Sequence, residues 1–289
     1  MASSKEIRNQ IKSVRNTQKI TSAMEMVAAA KRRKAQDRMK AARPYAEHIR
    51  QVAAHLAASS VSDYKHPFLI QRDQIKATGL IIVTADKGLC GSLNSNILRL
   101  ALEYLQNNEK SGISTQICVF GNKGYSLLAR TKANIAAYAT DLGDVPKIEQ
   151  LIGPIKVMLD AYHQGEIDRL DICYMRFVNT MKQETVLEQL VPIPPKTLEP
   201  SSRTRWEYIY EPSGTLVVEE IMVRYIESII YHAVAENMAS EQSARMVAMK
   251  AASDNAESLI DDLVLLYNKS RQAQITQELS EIVAGAAAV

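Results

Sequence analysis

The feature that most constrains this chain is where its helix breakers are missing. All eleven glycines lie at or after Gly79, and none falls between Gly214 and Gly285. Of the nine prolines, only Pro44 and Pro67 precede Gly79, and none follows Pro212. In a helix interior Gly costs about 1 kcal/mol and Pro about 3. Long windows free of both permit long helices. The chain therefore divides into a helix-permissive segment at 1–58, a punctuated segment at 59–212 and a second helix-permissive segment at 213–289. A helix of about 55 residues spans roughly 80 Å and one of about 75 roughly 110 Å. Neither fits inside a compact domain, so both are expected to protrude.

Each end segment carries one narrow apolar seam. In the first, Ile20, Met24, Val27, Ala35, Met39, Ala42, Ala46, Ile49, Ala53 and Leu56 follow steps of three and four, apart from one eight-residue gap filled by Lys31. In the last, Met246, Met249, Ala252, Ala256, Leu259, Leu263 and Leu266 do the same. Many of these positions are Ala or Met, which allow close approach and adaptable packing. Residues 1–58 hold 13 Lys/Arg and 4 Asp/Glu, a net of +9, whereas residues 213–289 hold 5 and 11, a net of −6. Opposite charge favours pairing of the two helices over self-pairing. An antiparallel coiled coil is the expected arrangement, with a solvated charged face on each helix as the alternative.

The middle is an α/β pattern. "TGLIIVTADKGLCGSLN" reads as a strand, a glycine turn and a helix from about Ser95 to Asn107, and "TQICVFGNKGYSLLAR" repeats that order. A strand is expected at Asn134–Ala139, and a helix in "PKIEQLIGPIKVMLDAYHQG" with Pro146 in its first turn. "RLDICYMRFVN" and "RWEYIYEP" read as further strands, and "VPIPPKTLEPSS" (191–202) as an extended exposed loop. Strands alternating with helices predict a Rossmann-like domain with a largely parallel sheet. The fold class is thus α/β: a long antiparallel coiled coil of terminal helices plus a central Rossmann-like domain.

Catalytic, cofactor-binding and metal-ligating constellations are not found. Cys90, Cys118 and Cys173 lack disulfide or zinc spacing and read as small buried hydrophobes in a reducing compartment. His48, His55, His66, His163 and His232 lack ligand spacing, and Asp261–Asp262 are helix neighbours that point apart. "DKGLCGSLN" (Asp86–Asn94) and "GNKG" (Gly121–Gly124) sit where phosphates bind in such folds, but neither has the GxGxxG or GxxxxGK[ST] spacing. Plain βα turns requiring positive φ explain both. "KRRK" (Lys31–Lys34) is open to three readings: contact with an acidic protein surface, solvation, or nucleic acid. A net charge of +3 does not itself call for nucleic acid or membrane. No apolar run approaches the roughly 20 residues of a membrane span, and "MASSKEIRNQ" has no signal core.

The last stretch, "ITQELSEIVAGAAAV", combines a ring of hydrogen-bonding side chains with a narrow apolar tip. With "NTQKITSAMEMVAAAK" (Asn16–Lys31), "DKGLCGSLN" and "ASEQSARMVAMKAASDN" (Ala239–Asn255), it makes the chain resemble the γ subunit of F-type ATP synthase over its whole length. The extra central segment of cyanobacterial and chloroplast forms, the plant regulatory cysteine pair and an organelle leader are not evident, so the resemblance is to a bacterial type.

The resemblance implies a central rotor shaft with no active site of its own and no cofactor. Its implied partners are an α3β3 hexamer, an ε subunit and a c ring, one copy per complex, without nucleic acid. Membrane contact would run only through the c ring, on the cytoplasmic side of a bacterial inner membrane. Proton-driven rotation would be coupled to ATP synthesis and hydrolysis at the β subunits. The resemblance places Arg271, Gln272, Thr276 and Glu278 against α and β loops, with Met24 and Arg245 near the β lever segments. Lys40, Arg43, Tyr208, Tyr210 and Glu211 form a candidate foot on the c ring. Ala284, Gly285, Ala286, Ala287, Ala288 and Val289 form an apolar bearing tip. The competing readings are a static coiled-coil tether and a nucleotide-binding α/β protein.

Overall fold

The computed structural model describes residues 4–58, 66–72, 74–131, 133–194, 211 and 213–287. In chain order its main elements are α1 (Ser4–Ala58), β1 (Ala77–Val83), α2 (Leu93–Lys110), β2 (Ser114–Phe120), α3 (Asn122–Leu128), β3 (Ile135–Ala139), α4 (Ile148–His163), β4 (Arg169–Phe177), β5 (Gln183–Val191) and α5 (Gly214–Ala287). The long helices have 55 and 74 residues. Helix α1 continues through Pro44, which removes one backbone donor at a cost of about 3 kcal/mol.

The sheet order is β3-β2-β1-β4-β5. Strands β1, β2, β3 and β4 pair in parallel, and β5 closes one edge antiparallel to β4. This is the doubly wound arrangement expected from the alternating strands and helices. Strand β5 was not foreseen. Its half-buried pattern, with Glu184 and Glu188 inside the run, hides the β signal of an edge strand. Helix α4 starts two residues beyond Pro146, so that proline precedes the helix instead of forming its first turn. At the start of the proline-rich segment, Val191 and Ile193 are buried, so the expected exposed loop does not begin there. The remainder of that segment from 195, and the strand expected at "RWEYIYEP" apart from Glu211, lie outside the described residues.

The two-residue period of the strands divides the sheet's faces. Leu80, Ile82, Ile117, Val119, Cys173 and Met175 pack with Leu93, Ile97 and Ala101 of α2. Ile81, Val83, Cys118, Phe120, Ile172 and Tyr174 pack with α4 and with Ala53, Ala54, Met222, Tyr225, Ile226 and Ile230 of the long helices. An open sheet needs both faces covered, and the long helices supply much of the second cover. The compact unit that contains the sheet is Ala30–Ala244.

The other compact unit is Met1–Ala29 with Arg245–Val289. Here Ile7 and Ile11 pack with Ile260, flanked by Val14, Leu263, Val264 and Tyr267. Further along, the Thr21 and Ser253 hydroxyls share a 2.7 Å hydrogen bond. Rising numbers on one helix meet falling numbers on the other, so the pair is an antiparallel coiled coil.

Its register corrects the apolar seam read from sequence. On α1 the inward positions Ile7, Val14, Thr21 and Ala28 recur every seven residues. Ile20 and Val27, assigned to the seam, are 61% and 54% exposed. On α5 the inward set is Met249, Ser253, Ala256, Ile260, Leu263 and Tyr267, while Leu259 and Leu266 are 48% and 50% exposed. On α1 the sequence reading chose the larger apolar neighbours Ile20 and Val27, and the fold places Thr21 and Ala28 inside, with Thr21 and Ser253 satisfying each other. With Ala28 in the seam, the eight-residue step to Ala35 becomes a regular seven.

Candidate functional site

Every described side chain of α5 from Arg271 to Ala286 is exposed. Ile275, Leu279, Ile282 and Val283 nevertheless follow i, i+4, i+7, i+8 spacing, which gathers them on one helix face. Polar groups cover the rest: Gln277 donates to Glu281 at 3.0 Å, and the Ser280 hydroxyl donates to the Thr276 carbonyl at 2.8 Å. A contiguous exposed apolar face on a helix is one mark of an interaction surface. Below it, Ile20, Met26 and Val27 of α1 and Leu259, Leu265 and Leu266 of α5 add further outward apolar side chains.

The sheet unit shows what occupies the place where Rossmann-like folds hold phosphates. After β1, the Asp86 carboxylate accepts from the backbone N–H groups of Asn122 at 3.0 Å, Asp141 at 3.1 Å and Gly143 at 3.3 Å. One side chain thus ties three loops at the carboxyl edge of the sheet. Gly121 has φ of 96°, and a Cβ there would stand 2.2 Å from the Thr84 carbonyl oxygen. Only glycine fits this approach. Gly91 also has positive φ, as does Leu89 in the same turn. The 121–124 turn is therefore filled by its own chain, and both turns show the positive φ that the plain-turn reading expects.

The basic run "KRRK" meets the same edge. Lys31 pairs with Asp144 at 2.8 Å, Arg32 donates to the Thr180 hydroxyl at 2.9 Å, and Arg38 donates to the Asp144 carbonyl at 2.7 Å. Arg33 and Lys34 are exposed. Acidic and polar loops of the chain itself are thus partners of half the run.

Helix α5 engages the sheet by side chains that the sequence reading missed. The Asn237 side-chain oxygen accepts from the Met175 N–H at 3.1 Å, and the Ser240 hydroxyl donates to the Met175 carbonyl at 3.2 Å. Both side chains are buried. Strand β4 pairs with β1 only as far as Cys173, so Met175 lies beyond that ladder. The available signal was two polar residues three apart on one helix face.

Among the described residues, reactive chemistry is not assembled. Cys90, Cys118 and Cys173 are buried and free of disulfides. Burial pushes the thiols of Cys118 and Cys173 well above their ordinary range, which disfavours the nucleophilic thiolate. Among the described residues there is no cluster of three or more His, Cys, Asp or Glu able to hold a metal. The buried Asp171 accepts from the Tyr104 hydroxyl at 2.6 Å and pairs with Arg169, a satisfied network inside the domain.

A family model described as ATP synthase matches residues 3–289. The ATP synthase gamma chain of Methylobacillus flagellatus is 61% identical over 292 residues, with 100% of each chain covered. That of Nitrosomonas europaea is 60% identical over 295 residues, again with 100% of each covered. The chain belongs to the ATP synthase γ-chain family. Solved structures agree with this γ-chain fold. The central stalk and c-ring structure of the Tetrahymena thermophila mitochondrial ATP synthase aligns with a TM-score of 0.61 and 25% identity, covering 81% of this chain and 99% of that one. A Euglena gracilis mitochondrial ATP synthase chain shares the fold at a TM-score of 0.68 and 20% identity, covering 99% and 94%.

Within this γ-chain fold, the residues singled out by resemblance fall in different settings. Arg271, Gln272, Thr276, Glu278, Ala284, Gly285 and Ala286 are exposed on the last turns of α5. Ala287 is helical, but its side chain, like all of Ala288 and Val289, lies outside the described residues. Met24 is half-buried and Arg245 is buried. Lys40 and Glu211 are exposed. The Arg43 side chain and the whole of Tyr208 and Tyr210 lie outside the described residues.

Proposed function

We propose that this chain is the central rotor shaft of an F1Fo ATP synthase, one copy per complex. It turns inside an α3β3 hexamer, beside an ε subunit and on a c ring. It is a mechanical, non-catalytic part. Family membership supports this reading, and the observation that carries it is the upper end of α5. A helix whose last four turns are fully exposed, yet carry one apolar face and a polar remainder, suits a surrounding protein sleeve. Arg271, Gln272, Thr276 and Glu278 supply the angle-dependent polar contacts. Ala284 to Val289 form a tip whose small apolar side chains add little orientation-dependent energy. Met24 and Arg245 meet the β lever segments, and Lys40, Arg43, Tyr208, Tyr210 and Glu211 form the foot.

Mechanistically, the two helices of the upper pair differ in sequence, so each β subunit meets a different face. Unequal contact energy biases each catalytic site to a different conformation. Every tenfold difference in nucleotide affinity requires about 1.4 kcal/mol of such bias. In this mechanism the parts are 1–58 and 213–289 as the shaft and 59–212 as the body that receives the c ring's rotation. The nucleotide-binding alternative loses its best anchor, because the backbone N–H groups of Gly121–Gly124 are taken by Ala139, Asp86, Ala85 and Thr84 of the chain itself. Among the described residues no helix is long and apolar enough to cross a membrane. That is compatible with a peripheral position on the cytoplasmic side of a bacterial inner membrane, reached through the c ring.

Removal of residues 275–289 tests the reading. The truncated chain is expected to express and assemble but to support much weaker coupled ATP synthesis. Fully coupled synthesis after removal from Arg271 onward would contradict the upper contacts.

A further inference from the structure

We propose that Asn237 and Ser240 of α5, bonded to the backbone of Met175 in β4, are the positioning residues through which the α/β domain holds α5 against rotation. The inference rests on the rotor reading and adds where the body grips the shaft.

A helix lying in an apolar bed is held there but not indexed. Hydrophobic contact is non-directional, and Met222, Ile226, Ile230, Ala233 and Val234 would tolerate small rotations of α5 over Ile81, Val83 and Tyr174. Hydrogen bonds are directional and weaken steeply with misalignment. Asn237 and Ser240, three positions apart, lie on one face of α5. They take both polar groups of one residue, the Met175 N–H and its carbonyl. Turning α5 by one residue moves both side chains by about 100° and breaks both bonds. Sliding it along its axis misaligns both as well. Two bonds to a single peptide position therefore fix rotation and height together.

The burial of the pair strengthens this. Asn237 is 1% exposed and Ser240 0%, so water does not replace a broken bond. The partner strand is itself anchored: β4 pairs with β1 as far as Cys173, and at Met175 it pairs with Thr185 of β5. The grip is on the sheet, the stiffest part of the unit, and not on a loop. Helix α1 is held in the same unit by Lys31 and Arg38 on the Asp144 loop and by Arg32 on the β4–β5 turn. Those contacts are partly exposed and weaker.

The experiment uses the complete membrane-bound complex and reads two quantities: the rate of ATP hydrolysis and the number of protons pumped per ATP. The double variant N237L/S240A is expected to keep most of its hydrolysis while pumping about threefold fewer protons per ATP, because directional bonds are lost and a buried peptide is left unpaired. Ser240→Ala alone is expected to lower the ratio less, and Ser240→Thr, which keeps the hydroxyl, to restore it. A merely structural role would lower assembled complex and both activities in parallel. Should the double variant not assemble, the Ser240→Ala and Ser240→Thr pair carries the test. An unchanged ratio in Ser240→Ala, or a parallel fall in both activities, would overturn the proposal. Absence of ATP-driven pumping by the unmodified complex would instead overturn the rotor reading.

Discussion

One helix of this molecule lives in two environments. Between Met222 and Ala244, α5 exposes only Arg224, and it buries apolar and polar residues on every side. Between Arg271 and Ala286 it exposes every described side chain. Burial of the first stretch stabilises the domain. The second stretch contributes little to the chain's own stability, so its sequence answers to something outside the chain. A single helix is thus a core element over one stretch and exposed on all its described sides over another.

Substitutions should separate the two ends. Ile226→Ala removes a fully buried side chain and is expected to cost about 3 kcal/mol in urea or thermal unfolding, whereas Ile282→Ala is expected to change stability by less than about 0.5 kcal/mol. Equal losses would dissolve the distinction.

The buried end should also be the pH-sensitive one. His66 accepts from the Phe68 N–H through Nδ1, which requires a neutral ring there, and burial lowers its pKa from 6.5 to about 4, helped by the neighbouring His163. Its protonation is stronger in the unfolded chain, so stability is full above pH 6.5 and is lost as pH falls toward 4. The expected loss is at most about 3 kcal/mol, less where solvent screens the ring. His66→Asn keeps an acceptor but does not titrate, and should flatten that part of the stability–pH curve. An unchanged slope would contradict this assignment.

Smaller effects belong to the upper pair. Thr21→Ala should cost about 1 kcal/mol by leaving the Ser253 hydroxyl unpaired, and the double variant T21V/S253A should recover most of it. The smallest stability effect is expected for Ala286→Trp, under about 0.5 kcal/mol because the site is exposed. The same variant should slow ATP hydrolysis by the assembled complex, where a bulky tip meets the sleeve. Normal hydrolysis would remove the low-friction interpretation of the tail.

Legibility in the sequence followed the strength of the local signal. Glycine and proline placement located the ends of both long helices to within a few residues, because the cost of a breaker is local. The apolar runs of β1, β2 and β4 were equally plain, being buried on both faces. The register of the coiled coil was not, since Thr21 and Ser253 become seam residues only once each has the other as partner. Strand β5 was hidden by the charges of an edge strand, and the Asn237–Ser240 grip by side chains that are polar in sequence but satisfied by a distant backbone. Asp86, read within a possible phosphate turn, shows the same limit: its three donors come from two later loops.

The most direct test of the central claim is to observe rotation. The α3β3 hexamer is immobilised, a visible probe is attached to the exposed surface of this chain's α/β domain, and ATP is supplied. The rotor account expects sustained one-way rotation of the probe, in steps that repeat three times per turn. ATP hydrolysis by the same complexes with a stationary probe would contradict it.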